Sequence, residues 1–213
     1  LPKPRINKQG YSDKRTKKIF EEIVKEYNPD IIQIWGSENP LRLLPFADEI
    51  SGIKVLTMQG VMDSIAPVLL SGMNWKEILY TIGLREILLR KNLITEKKSF
   101  KKRAIIEREI IKRSKYIITQ SEWTDSQIRD INREALLYRT EMALRNQFIS
   151  CIKWTDFVHS KPVIYSAAIG YSFKGLHILI RALEIVKKRF PDIELRLAGL
   201  TGRRDFLSDG YLR

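Results

Sequence analysis

Ile31-Ile32-Gln33-Ile34-Trp35, closed by Gly36, and Ile53-Lys54-Val55-Leu56-Thr57-Met58, closed by Gln59-Gly60, are short apolar runs bounded by turn residues. Runs of this length and composition predict buried strands. Between them Asn39-Pro40 opens a predicted helix through Ile50, ended by Ser51-Gly52. Upstream, residues 13–27 put Ile19, Phe20, Ile23 and Val24 at helical spacing, with Ser12 as the N-cap. Asn28-Pro29-Asp30 breaks that helix, because proline disfavours helical geometry in the residue before it. Alternating helices and strands predict a parallel sheet covered by helices, an α/β fold.

The same rhythm continues downstream after a mostly helical stretch, 63–113. Asn74-Trp75-Lys76-Glu77 has the spacing of a capping box. Within 99–113, Phe100, Ala104, Ile106, Ile110 and Ile111 share about half the helix circumference, and basic residues dominate the remainder. Tyr116-Ile117-Ile118-Thr119 predicts a strand, and Thr124 with Gln127 is spaced as a capping box for the next helix. After Arg145 the composition shifts. Residues 161–166 predict a strand, 168–174 a loop, and Gly175 opens a helix to about Phe190 with Leu176, Leu179, Leu183 and Val186 as its buried stripe. Pro191-Asp192 then turns the chain into a strand over 193–199. The expected organisation is a first α/β domain over 1–150, a linker over 151–160 and the beginning of a second over 161–213. Leu1-Pro2-Lys3-Pro4 resembles no secretory leader and Gly210-Tyr211-Leu212-Arg213 closes no element, so the chain is expected to be an internal fragment.

Composition sets outer bounds. With 213 residues, 44% hydrophobic and 30% charged, the chain is long enough for a sizeable core without covalent staples. One cysteine, Cys151, excludes an intrachain disulfide and a Cys-cluster zinc site; two histidines, His159 and His177, exclude a His-rich metal site. No apolar run approaches the roughly 20 residues that span a bilayer. The expected location is cytoplasmic, with at most peripheral membrane contact. Lys and Arg total 38 against 25 acids, and residues 97–115 concentrate nine bases against only Glu107 and Glu109. That balance predicts attraction to polyanions: nucleic acid, phosphorylated substrate or anionic lipid.

Ligands of open parallel sheets bind beyond the carboxyl ends of the strands. This singles out Gly36 and Glu38 after one strand, Gln59 and Gly60 after another, and Lys174-Gly175 at a helix start. Free amides and the dipole at a helix N-terminus favour an anion, and a lysine ammonium adds a point charge for phosphate. Glu38 is the carboxylate best placed to bind a hydroxyl-rich ligand. There is no Walker loop, no GxGxxG fingerprint, no HExxH and no EF-hand. Neither RRM, KH nor zinc-finger patterns occur, and aromatics are not interleaved with the basic run. A nucleic-acid-binding module is therefore the less favoured alternative.

Four stretches together resemble the retaining glycosyltransferases of the GT-B fold, family four (the group 1 transferases). They are Pro29-Asp30-Ile31-Ile32-Gln33-Ile34-Trp35-Gly36-Ser37-Glu38, Ile117-Ile118-Thr119-Gln120-Ser121-Glu122-Trp123-Thr124, the segment 138–148, and 166–199 with its Lys174-Gly175-Leu176-His177-Ile178-Leu179. The resemblance implies two Rossmann-like domains, an acceptor on the first and a nucleoside-diphosphate sugar mainly on the second. It implies sugar transfer to a glycan or glycolipid with retention, in surface polysaccharide synthesis. No metal or cofactor is expected, since basic side chains and a helix N-terminus neutralise the leaving diphosphate. Lys174 then takes the catalytic and donor-binding role with Gly175, while Gly36, Glu38, Gln59 and Gly60 lie on the acceptor side.

Departures temper the expectation. Ala168 stands where the family usually has arginine, and Gln59 where many relatives have histidine. The family's paired ribose-binding glutamates and first glycine-rich loop have no counterpart in 1–213, so this chain by itself is expected to be inactive. A pseudoenzyme that holds a sugar nucleotide without turnover is the second alternative. Residues 97–115 add an expected peripheral contact with an anionic membrane.

Overall fold

The computed structural model describes residues 14–46, 50–83, 87–88, 92–152, 161–167 and 172–198. Ser12, His159, Ala168, most of the expected linker and the residues from Gly199 onward lie outside the described residues. Two compact units share the chain: residues 1–66 with 99–143, and residues 67–98 with 144–213. The helical stretch 67–98 thus interrupts the first unit in sequence and belongs to the second.

The first unit is a four-stranded parallel sheet in sequential order: β1 (Ile31–Trp35), β2 (Ile53–Thr57), β3 (Tyr116–Thr119) and β4 (Leu136–Arg139). Helix α1 (Lys14–Tyr27) precedes it and ends at Asn28, whose φ of 42° is left-handed. The register aligns Ile34, Leu56, Ile117 and Leu137 on one face. Against that row pack Ile110 and Ile111 of helix α4 (Leu93–Arg113) and Ile128 and Ile131 of helix α5 (Glu122–Ile131), with Leu43 and Phe46. Each fully buried aliphatic side chain contributes about 1.5–3 kcal/mol relative to exposure, so this layer holds the unit together. The opposite face carries Gln33, Val55, Tyr116 and Leu136 in one row and Trp35, Thr57, Ile118 and Tyr138 in the next. Ile31 is 58% and Trp35 52% exposed there, although parallel sheets ordinarily bury both faces.

Several local expectations need correction. Residues 40–46 form a 3-10 helix, Pro40–Phe46, rather than an α-helix, because Pro45 has no N–H to donate and its ring crowds the preceding turn. Within the mostly helical stretch the long α4 begins at Leu93, where Asn92 Oδ1 accepts from the Thr95 amide at 2.9 Å. The cap of α5 is Ser121, whose hydroxyl accepts from the Thr124 amide at 3.2 Å, and Gln127 accepts from Ser64 Oγ instead of closing a box. Strand β4 was not expected at all. Only its last two residues fall in the segment 138–148, and just before it Asn132 donates to Ile111 O and Ser114 O at the end of α4.

The basic helix keeps its apolar arc inside. Phe100, Ala104, Ile110 and Ile111 are buried, and the charged face, with Lys98, Lys101 and Lys102 exposed around Ile105, looks outward. Arg103 is different: its guanidinium stacks 4.2 Å from the Phe100 ring. Among the described residues no helix is long and apolar enough to cross a membrane.

The second unit contains a parallel pair, β5 (Val163–Ser166) and β6 (Glu194–Leu197), joined through helix α7 (Leu176–Lys187). Val163 and Ile32 therefore lie in separate sheets. Two strands cover little of a helix, so only Leu176 of the expected stripe is buried, with Leu179, Leu183 and Val186 half-buried. The short helix α2 (Met62–Val68) runs into this unit, followed by α3 (Trp75–Tyr80) and, later, α6 (Asn146–Ser150). The capping box is present as expected, with Asn74 Oδ1 accepting from the Glu77 amide at 3.0 Å and Glu77 accepting from the Asn74 amide at 2.8 Å. Three carbonyls of one loop are taken up by residues at the start of α7. Ser172 Oγ donates to Leu69 O, His177 Nε2 lies 3.1 Å from Ser71 O, and Arg181 donates to Gly72 O at 2.8 Å and pairs with Glu77. Gly72 turns at φ 78°, the left-handed region, and a Cβ there would stand 3.0 Å from His177 Nε2 and 3.1 Å from Ile178 Cδ1, so these side chains would have to give way.

Candidate functional site

At the carboxyl end of β1 the ladder runs one residue further, the Gly36 amide donating to Thr57 O at 2.9 Å. Gly36 then turns at φ 75°, a left-handed geometry glycine adopts without steric cost. The Glu38 carboxylate folds back over it: a Cβ on Gly36 would stand 2.6 Å from Glu38 Oε2. Glu38 itself is exposed, so its oxygens face solvent while its backbone is fixed by the turn. Gln59 and Gly60 end the neighbouring strand. Gln59 is exposed, and its amide nitrogen is 3.9 Å from Met142 Sδ. At Gly60 a Cβ would make only an ordinary contact with Ile65, so no steric demand requires glycine there.

One carboxyl group joins these two strand ends, and sequence reasoning missed it. Glu107 of α4 is fully buried. It accepts from Ser37 Oγ and, at 3.2 Å, from the Asp63 amide, with the Met62 amide as a further donor. Burial pushes its carboxyl up to about 7, against the pull of those three hydrogen bonds, and the Glu38 charge adds to the rise. The signal was available: Glu107 falls between Ala104 and Ile110–Ile111 on the apolar arc of the helix, while its neighbouring acid Glu109 lies off that arc. A carboxylate at a core position is rarely there without partners.

The remaining expected residues belong to the second unit. Lys174 ends a 3-10 turn, Ser172–Lys174, and is exposed. Gly175 follows at φ 78° as the N-cap of α7 and offers no side-chain cap to the helix amides. Ser172 is buried and anchors the turn through its bond to Leu69 O, so the lysine stem projects from a fixed base. His177 is a packing residue held at Ser71 O.

The structure thus groups Gly36, Glu38, Gln59 and Gly60 at adjoining strand ends of one unit and sets Lys174 with Gly175 at a helix start of the other. No group of three His, Cys, Asp or Glu side chains suited to a metal ion occurs among the described residues. Set beside known protein families and curated proteins, the chain matches none.

Proposed function

We propose that the protein is a retaining glycosyltransferase of the GT-B type. It moves a sugar from a nucleoside-diphosphate sugar to a glycan or lipid-linked acceptor in surface polysaccharide synthesis, at the cytoplasmic face of a membrane. The observation that carries this reading is the fixed, exposed Lys174 at the side-chain-uncapped start of α7, in the connection that follows β5. A diphosphate leaving group develops charge as the glycosidic bond breaks. An ammonium and helix amides held in advance stabilise that charge without reorganising. On the acceptor side, the Glu38 carboxylate accepts a hydrogen bond from a sugar hydroxyl, with Gly36 holding it in a turn at the strand end. The exposed Lys98, Lys101 and Lys102 draw the chain to anionic lipid, where lipid-linked acceptors reside.

Titration calorimetry with uridine, guanosine and adenosine diphosphates tests the reading. One of them should bind saturably, and Lys174→Ala should weaken it by about ten- to hundredfold, the range for a hydrogen bond to a charged group. Absence of binding by all three, or equal binding by the variant, overturns it.

A further inference from the structure

Glu107 plays no part in the proposed transfer, yet among the described residues it is the one ionisable side chain that is fully buried. Its two oxygens are shared between two loops from different strands: Oε1 takes the Ser37 hydroxyl beyond β1, and Oε2 the Asp63 amide at the start of α2, beyond β2. Ser37 is itself buried and lies between Gly36 and Glu38, while Asp63 follows Gly60 by one short turn. We propose that Glu107 is a positioning residue whose single carboxyl group locks the Gly36–Glu38 and Gly60–Asp63 loops together, and that taking up a proton loosens the pair.

The chemistry follows from what each protonation state can accept. An ionised carboxylate is acceptor-only and has about four lone-pair sites, enough for Ser37, Asp63 and Met62 together. Bonds to an ionised acceptor are roughly twice as strong as neutral ones. Adding a proton turns one oxygen into a donor and makes all remaining bonds neutral. The hydroxyl of Ser37 can then accept the acid proton, but the amides of Met62 and Asp63 only donate and lose strength. Protonation therefore weakens the hold on the α2 side first. The charged groups around Glu107 do not stabilise its anion directly. Glu38 repels it, and Arg108 on its own helix is committed to Asp63 at 2.8 Å. With its carboxyl lifted to about 7, the change falls in the neutral range. That these loops face an acceptor rests on the glycosyltransferase reading; the lock between them does not.

The test needs no substrate. Amide proton–nitrogen spectra of the labelled chain are recorded from pH 5 to 8.5. Resonances of Ser37, Glu38, Met62 and Asp63 should move with one shared midpoint within about a unit of 7, and Glu107→Gln should abolish that transition. Ser37→Ala, which removes a hydrogen bond that favours the anion, should raise the shared midpoint while leaving the Asp63 amide responsive. Independent midpoints on the two loops, or a shared transition that survives Glu107→Gln, overturn the proposal. If Glu107→Gln does not fold, an unchanged midpoint in Ser37→Ala overturns it equally. Failure here leaves diphosphate binding at Lys174 intact, and failure of diphosphate binding leaves this transition intact, so the two readings fail separately.

Discussion

Replacing Glu107 by Gln should change how the stability of the first unit depends on pH, more than it changes stability at any one pH. The folded carboxyl titrates at about 7, against an ordinary value of 4.5. A folded value above the unfolded one means that the native state holds the proton more tightly. Its contribution is complete below about pH 4.5 and is lost as pH rises through about 7. At about 1.4 kcal/mol per pH unit, the difference between the two values amounts to about 3 kcal/mol. Gln cannot ionise, so its variant lacks this slope whatever offset it suffers from losing an acceptor for the Asp63 amide. Amide exchange at Leu56 and Ile117, both buried in central strands, reports opening of this unit alone. Between pH 5 and 7.5 the opening free energy of the wild type should fall relative to Glu107→Gln by about 2.4 kcal/mol, the part of the full difference that this window spans. A flat difference across that window would refute the buried-carboxyl argument.

Further outcomes follow from the same geometry. Gly36→Ala should destabilise the first unit by about 1–2 kcal/mol, since its φ of 75° is left-handed and the added methyl meets Glu38; a loss below about 0.3 kcal/mol in the same exchange measurement would show the turn to be adaptable. Asn74→Ala should remove about 1 kcal/mol from α3, read as faster exchange at Ile78 and Thr81 with Leu56 unchanged, and equal protection at both would deny the capping box any weight. The chain should sediment with anionic but not neutral vesicles, less so at high salt, and Lys98→Glu, Lys101→Glu and Lys102→Glu together should abolish it. Sedimentation of that triple variant equal to wild type would free the basic face from any membrane role. Arg103 is left unchanged there because its contact with Phe100 is structural.

What the sequence made legible was periodic. Strand β1 is found over Ile31–Trp35, β3 over Tyr116–Thr119 and the Asn74 cap in place, because short apolar runs and local cap spacing are decided by neighbours in the chain. The 3-10 helix at Pro40–Phe46 was misjudged because Pro45 acts on the hydrogen-bond ladder rather than on hydrophobic spacing. Strand β4 was missed since only its edge position beside β3, a tertiary fact, makes Leu136–Arg139 extended. At the candidate site, glycines after strands marked Gly36 and Gly60, but the group that links them comes from a helix far along the chain. Glu107 looked like one of two acids in a basic run, although its spacing from Ala104, Ile110 and Ile111, all buried, placed it on the apolar arc.

The threading of residues 67–98 through the second unit means that the two units cannot be parted by a single cut. A truncation at residue 150 would keep the whole four-stranded sheet, yet it would strip Ser172, His177 and Arg181 from the carbonyls of Leu69, Ser71 and Gly72. Those carbonyls would have to find water. During synthesis the same order holds: β1 and β2 emerge first, then a stretch whose partners are not yet made, and only afterwards the strands that complete the sheet. Non-local pairing of this kind slows folding and prolongs the exposure of unpaired edges. Expression of the first unit alone would need residues 67–98 replaced by a short polar linker, and a two-part split protein would reassemble most readily with its break inside 144–160, after the sheet is complete.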